Sequence, residues 1–128
     1  MGAGSFDVAG VQRRLASGGG YEIVYESPGI EVGVYVLVAP EPDRQQPHED
    51  DELYVVLEGR GVLEISDERV ELEEGHAAFV PAGADHRFTS YESLSVLVIF
   101  ERGSAAHGAS FEATPGPGDS EGGDVFPP

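Results

Sequence analysis

Hydrophobic and polar residues alternate along the middle of the chain in short runs that turn-forming residues separate. The two longest runs, 30–39 and 94–101, are rich in valine and have the period of two that is typical of a strand. Shorter runs predict further strands over 21–26, 52–58, 62–66, 69–73, 77–80 and 86–90. The run 52–58 is predicted to end at the turn formed by residues 59–61. This spacing predicts an all-β sandwich or barrel, and the lack of an interior helical pattern disfavours a βαβ fold.

The two ends of the chain have a different pattern. Residues 7–16 predict a short amphipathic helix with Asp7 as its N-cap. The C-terminal stretch is dominated by Gly, Pro, Ser, Ala and acidic residues, which bury too little apolar surface to offset the entropy of ordering. We therefore expect three parts: an N-terminal segment with the helix over residues 1–20, a β-barrel over 21–102 and a flexible Gly/Pro-rich tail over 103–128.

Composition excludes several kinds of chemistry. The chain has no Cys, which excludes disulfides and thiolates, and no Lys, which excludes lysine Schiff bases. The net charge of −17 disfavours binding to nucleic acids or anionic membranes, and it favours solubility and the attraction of cations. No run approaches the ~20 apolar residues of a membrane span, and the N-terminus does not resemble a signal peptide. We therefore expect a cytoplasmic protein.

Candidate metal ligands lie in two separate parts of the chain. Gln46 and His48 share a face if their segment is extended, and Glu52 and Tyr54 share a face in the following strand. His86 comes from a distant strand. Two neutral imidazoles and one carboxylate match the facial arrangement used by non-haem Fe(II), and they suit Mn(II), Ni(II) or Zn(II) equally. An amide oxygen is a weaker neutral donor, and such a set leaves a position for water or substrate.

Each of these residues also has a simpler interpretation. Taken singly, the histidines are ordinary polar residues near loops. Tyr54 is a candidate catalytic residue beside Glu52, as a hydrogen-bond donor to substrate, but it is equally a candidate core residue with a satisfied hydroxyl. The acids 49–51 include a possible general base, although solvated loop acids are the simpler interpretation. Arg87 should point outward, and His76 is expected to be structural or exposed.

The first of two motifs resembles the cupin superfamily. That family has Gly, five residues, His-x-His, three or four residues, Glu, six residues and Gly. Matching positions here are His48, Glu52 and Gly59. The chain departs from the motif at Pro40, where Gly is expected, and at Gln46, where the first His is expected.

The second motif strengthens the resemblance. In cupins it has Gly, five residues, Pro-x-Gly, two residues, His, three residues and Asn. The matching residues are Gly75, Pro81, Gly83 and His86, and Ser90 stands where Asn is expected. Both motifs therefore indicate the same family, and together they span about fifty residues of the chain.

The resemblance implies a cupin double-stranded β-helix, or jelly-roll barrel. It places His48, Glu52 and His86 at metal-ligand positions, with Gln46 at the remaining one, around one divalent ion (Fe, Mn, Zn or Ni). It implies dioxygenase or isomerase/epimerase chemistry on a small oxygen-bearing molecule, and a non-catalytic ligand-binding or sensing module is the alternative. Single-domain cupins commonly pair, and the apolar faces expected on 30–39 and 94–101 predict a homodimer.

Overall fold

The computed structural model describes residues 4–43 and 49–102. These contain one helix and seven strands: α1 (Val8–Leu15), β1 (Gly20–Glu26), β2 (Ile30–Val38), β3 (Glu52–Ile65), β4 (Glu68–Glu73), β5 (Ala77–Val80), β6 (His86–Thr89) and β7 (Ser93–Glu101). Every strand pairing is antiparallel, which confirms the predicted all-β class with one short helix. In the part of the chain described, no helix has the length and apolar character needed to cross a membrane. The predicted tail, 103–128, lies outside the described residues.

Strand β3 belongs to both sheets of the barrel. Its first half pairs with β7 and β5, and β7 continues through β2 to β1. Its second half pairs with β4 and β6. The two sheets therefore close around one interior and are joined by a single strand of 14 residues.

The prediction that a strand ends at Gly59 was wrong. The pairing of β3 with β7 shifts register between Val56 and Glu58, and Gly59 follows with φ at 88°. A bulge followed by a residue in the left-handed region bends a strand without ending its pairing. A Cβ at this position would overlap the carbonyl oxygen of Ser93, so only glycine fits the corner.

Helix α1 covers part of the outer face of the sheet. The Asp7 carboxylate accepts a hydrogen bond from the Gly10 backbone N–H at 2.9 Å, which confirms the predicted cap. Val11 packs against Val34 and Val36 of β2. The odd-numbered side chains of β2 consequently face the barrel interior.

The interior is mainly apolar but contains three buried acid or imidazole groups. Its apolar members include Tyr35, Leu37, Tyr54, Val56, Leu63, Phe88, Leu94, Val96, Val98 and Phe100. Asp43, Glu52 and His86 are buried as well. Burial of ionisable groups costs free energy unless they are paired or bind a metal, so their positions indicate a site.

Candidate metal centre

Glu52 and His86 meet inside the barrel. Glu52 is the first residue of β3 in one sheet, and His86 is the first residue of β6 in the other. The Oε1 atom of Glu52 lies 3.0 Å from Nε2 of His86, and the two side chains are 0% and 1% exposed respectively. Two of the four predicted ligands therefore converge on one sheltered point.

The hydrogen bond of His86 Nδ1 determines the role of the other ring nitrogen, Nε2. Nδ1 lies 2.9 Å from the backbone carbonyl oxygen of Ala84. Because a carbonyl oxygen only accepts hydrogen bonds, Nδ1 must carry a proton. Nε2 therefore faces the Glu52 carboxylate across a distance that requires a proton or a metal ion between the two atoms.

The pKa values of both members of this pair are raised above their ordinary values. Burial raises the pKa of Glu52, although hydrogen bonds from His86 and Tyr54 oppose that rise. Burial lowers the pKa of His86, but its bonds to Glu52 and to the Ala84 carbonyl outweigh this effect and raise it overall. A divalent cation at this point would displace the shared proton, as metal binding to such groups generally does.

Tyr54 lies against the carboxylate of Glu52. Its side chain is fully buried, and its hydroxyl is close enough to Glu52 to lower the pKa of that carboxyl. Its ring packs edge-on against Phe88, with centroids 4.8 Å apart, and the His86 ring lies 6.1 Å away. The predicted shared face of Glu52 and Tyr54 is confirmed by the burial of both side chains. Tyr54 consequently forms part of the wall beside the carboxylate.

Asp43 is a buried acid that the sequence analysis missed. Its Oδ1 accepts a hydrogen bond from the Tyr35 hydroxyl at 2.6 Å, and its Oδ2 accepts one from the Phe88 backbone N–H at 2.7 Å. It therefore connects β2 to β6 close to His86. Its negative charge raises the pKa of both Glu52 and His86. Nothing in the local sequence distinguishes Asp43 from a solvated acid in a proline-rich loop.

The remaining predicted residues fall into two groups. Gln46 and His48 lie outside the described residues, so their place at the site stays a prediction. Over 4–43 and 49–102, no group of three or more His, Cys, Asp or Glu side chains forms a metal cluster. Arg87 and His76 are exposed, as predicted. Asp51 accepts a hydrogen bond from the Ala82 N–H at 3.0 Å, which is a structural contact.

The donor atoms at this point fit a metal ion. Two ligands that bind a first-row ion at ~2.1 Å and at right angles are about 3 Å apart, as Glu52 Oε1 and His86 Nε2 are. Metal-binding imidazoles usually donate their other N–H to a carbonyl or carboxylate, as His86 does to Ala84. The described pair therefore has the chemistry and the spacing of two neighbouring ligands.

Comparison with known proteins gives the same fold and family. A family model described as a cupin domain matches residues 34–100. An uncharacterized protein of Streptomyces coelicolor is 38% identical over 88 residues, which cover 68% of this chain and 84% of that protein. Acireductone dioxygenase of Leishmania major is 34% identical over 89 residues, which cover 63% of this chain but only 26% of that protein.

Solved structures have the same architecture. A Thermus thermophilus protein superimposes with a TM-score of 0.60 at 30% identity, covering 70% of this chain and 91% of that one. A Methanocaldococcus jannaschii protein, described as an RmlC-like cupin with a double-stranded β-helix fold, gives a TM-score of 0.65 at 15% identity, with coverage of 79% and 92%. The predicted jelly-roll barrel is thus confirmed.

Proposed function

Because the chain belongs to the cupin family, we propose that its barrel holds one divalent metal ion and acts on a small oxygen-bearing organic molecule. The observation that carries this proposal is the buried contact of 3.0 Å between Glu52 and His86. Their donor atoms need a cation between them, and the tautomer of His86 directs Nε2 to that point.

Four side chains would hold the ion. Glu52 and His86 supply two donors, and we assign the others to His48 and Gln46. A bound ion would supply Lewis-acid polarisation of a ligand oxygen or a place for O2 to react. The residues of the chain perform the positioning, since the Ala84 carbonyl fixes the ring of His86 and Tyr54 lies beside Glu52. The apolar interior excludes water and strengthens these polar contacts.

Dioxygenase-type chemistry is the reaction class that we favour. Its support is the similarity to acireductone dioxygenase, which extends over 89 residues. The protein should be loaded anaerobically with Fe(II), Mn(II) or Ni(II). Oxygen uptake should then be measured with reductone-type enediols and catechols as substrates. Oxygen uptake would support this class. Isomerised product without uptake would favour an isomerase or epimerase, and the absence of both would favour a binding module.

A cytoplasmic location stays a prediction.

Metal addition is expected to stabilise the protein through Glu52 and His86. At a free-ion concentration of 100 times Kd, binding to the folded state alone contributes about 2.7 kcal/mol. For a domain of this size that corresponds to a rise in Tm of roughly 10 °C. The measurement is thermal unfolding after treatment with a chelator and then addition of Fe(II), Mn(II), Ni(II) or Zn(II), with elemental analysis of the purified protein.

Two substitutions and a control separate this site from surface binding. Glu52→Gln replaces the carboxylate with a weaker amide donor and should reduce the response, and His86→Ala removes the imidazole and should abolish it. His76→Ala removes an exposed imidazole and should leave the response unchanged. Metal binding at this site is contradicted if no ion shifts Tm, or if Glu52→Gln responds as the native protein does.

We also propose that two copies pair through the outer face of the larger sheet. One row of residues in register crosses five strands there: Tyr25, Val32, Ile99, Leu53 and Phe79. Three of these remain exposed, Tyr25 by 44%, Leu53 by 37% and Phe79 by 56%. Helix α1 covers only the neighbouring part of this face. Large apolar side chains exposed in one row are typical of an interface, and a second copy provides the same surface in return.

The expected result is a homodimer in light scattering coupled to size exclusion. Leu53→Glu together with Phe79→Glu should give monomers, because each change would place a charge inside the interface. Arg87→Glu, on an exposed position of the other sheet, is the control and should remain dimeric. A monomeric native protein would refute the pairing.

A further inference from the structure

Glu31 lies on the inner wall of the barrel at the same end as Glu52. In the register of the sheet, Glu31 is opposite Phe100, and Phe100 is opposite Glu52. Side chains directly opposite in antiparallel strands point to the same face. Because Phe100 and Glu52 are buried in the interior, the side chain of Glu31 points there too. Two strand spacings, about 10 Å, separate the backbones of the two acids.

Tyr21 holds the carboxylate of Glu31 in place. Its ring crosses Gly33, where a Cβ would overlap the ring atoms. Its hydroxyl donates to Oε2 of Glu31 at 2.7 Å. Burial, the adjoining Glu31 and the field of Glu52 all raise the pKa of Tyr21, so the hydroxyl remains a donor. Glu31 is therefore fixed in orientation by a tyrosine that lies within the electrostatic reach of Glu52.

The other described contact of Glu31 is a weak one. Arg102 lies 2.7 Å from Glu26 but 3.4 Å from Oε1 of Glu31, so the guanidinium is bound mainly by Glu26. A carboxyl group can accept through both of its oxygens, and the two contacts found among residues 4–43 and 49–102 use only part of that capacity. The Glu31 side chain is 19% exposed, so it is not sealed inside the core.

We propose that Glu31 is a second polar anchor of the binding site, which binds an ammonium or hydroxyl group at the end of the ligand remote from Glu52 and His86. This inference rests on the proposed function and narrows its ligand class. The ligand is a small molecule with oxygen donors at one end and a cationic or hydrogen-bond-donating group at the other. A carboxylate at that remote end would lie against the like charge of Glu31, which disfavours it.

Three catechols that differ only in the charge of a short side chain test the proposal. Dopamine carries an ammonium group, ethylcatechol is neutral and dihydrocaffeate carries a carboxylate. Binding to the zinc-loaded protein should be measured by calorimetry, because zinc does not oxidise catechols, at a salt concentration that screens the surface charges. Dopamine is expected to bind about tenfold more tightly than ethylcatechol, from one charge-assisted hydrogen bond, and dihydrocaffeate more weakly.

Two variants assign the preference to Glu31. Glu31→Gln keeps the size of the side chain and should bring dopamine and ethylcatechol to equal affinity, with zinc content unchanged. Glu101→Gln removes an exposed carboxylate at the same end of the barrel and should keep the preference. If the protein takes up zinc, three results would overturn this inference alone. They are equal binding of all three catechols, no catechol binding, and a preference for dopamine that persists in Glu31→Gln. Failure to take up any zinc would overturn the proposed function as well.

Discussion

Replacement of Asp43 by alanine is expected to destabilise the metal-free protein by about 3–6 kcal/mol, because it removes the acceptor of two buried hydrogen bonds. The two donors, the Tyr35 hydroxyl and the Phe88 backbone N–H, belong to residues that are only 2% and 1% exposed. Each hydrogen bond to a charged group contributes roughly 1.5–3 kcal/mol. The expected loss is comparable to the whole stability of a small domain, about 5–15 kcal/mol. Urea unfolding followed by circular dichroism measures it.

Two further variants show whether the loss comes from the buried acceptor. In Asp43→Asn, the amide oxygen can accept from the Phe88 N–H while the amide nitrogen donates to the Tyr35 oxygen, since a hydroxyl also accepts. This variant should therefore lose much less stability than Asp43→Ala. Glu41→Ala removes an exposed carboxylate from the same segment and should be nearly neutral. Equal stability of Asp43→Ala and Glu41→Ala would show that the two hydrogen bonds of Asp43 contribute nothing to the free energy of unfolding.

Replacement of Gly59 by alanine is expected to cost about 2–5 kcal/mol. Two effects add, since an L-residue in the left-handed region costs about 1–2 kcal/mol and overpacking costs about 1–3 kcal/mol. The overlap is with the carbonyl oxygen of Ser93, in the partner strand, which cannot move without breaking the pairing of β3 and β7. Urea unfolding of Gly59→Ala against the native protein is the measurement.

Gly75 provides a matched control for the overlap. It has nearly the same backbone angle, with φ at 90°, but no atom lies within 4 Å of a Cβ built there. Gly75→Ala should therefore show only the conformational cost, and the difference between the two variants isolates the overlap. If both variants lose the same stability, the bend of β3 does not depend on the close approach of Ser93.

The fold could be predicted from sequence wherever alternation and turn residues agree. The strands Ile30–Val38 and Ser93–Glu101 have long valine-rich patterns, and their predicted bounds differ from the observed ones by one residue. The continuation of β3 through Gly59 could not be predicted, because glycines normally indicate a turn. What distinguishes a bend from a turn here is the position of Ser93, a contact between residues far apart in sequence.

The candidate site could be predicted only where a family spacing supports it. Glu52 and His86 belong to motifs whose spacing is specific, and the structure brings them together at 3.0 Å. Asp43 and Glu31 belong to no motif. Their environments depend on Phe88 and Phe100, which are distant in the chain. A single sequence contains no local signal for such a contact, and both acids look like ordinary surface residues until the strands are paired.

The sharing of β3 between the two sheets has a consequence for how the molecule loses its structure. Neither sheet can separate while the other persists, because each would have to release the same strand. We therefore expect the barrel to melt in one concerted step, without a half-folded form. Glu52 is paired on both sides in this strand, with β5 and β7, so we expect its backbone to keep its place until the barrel opens.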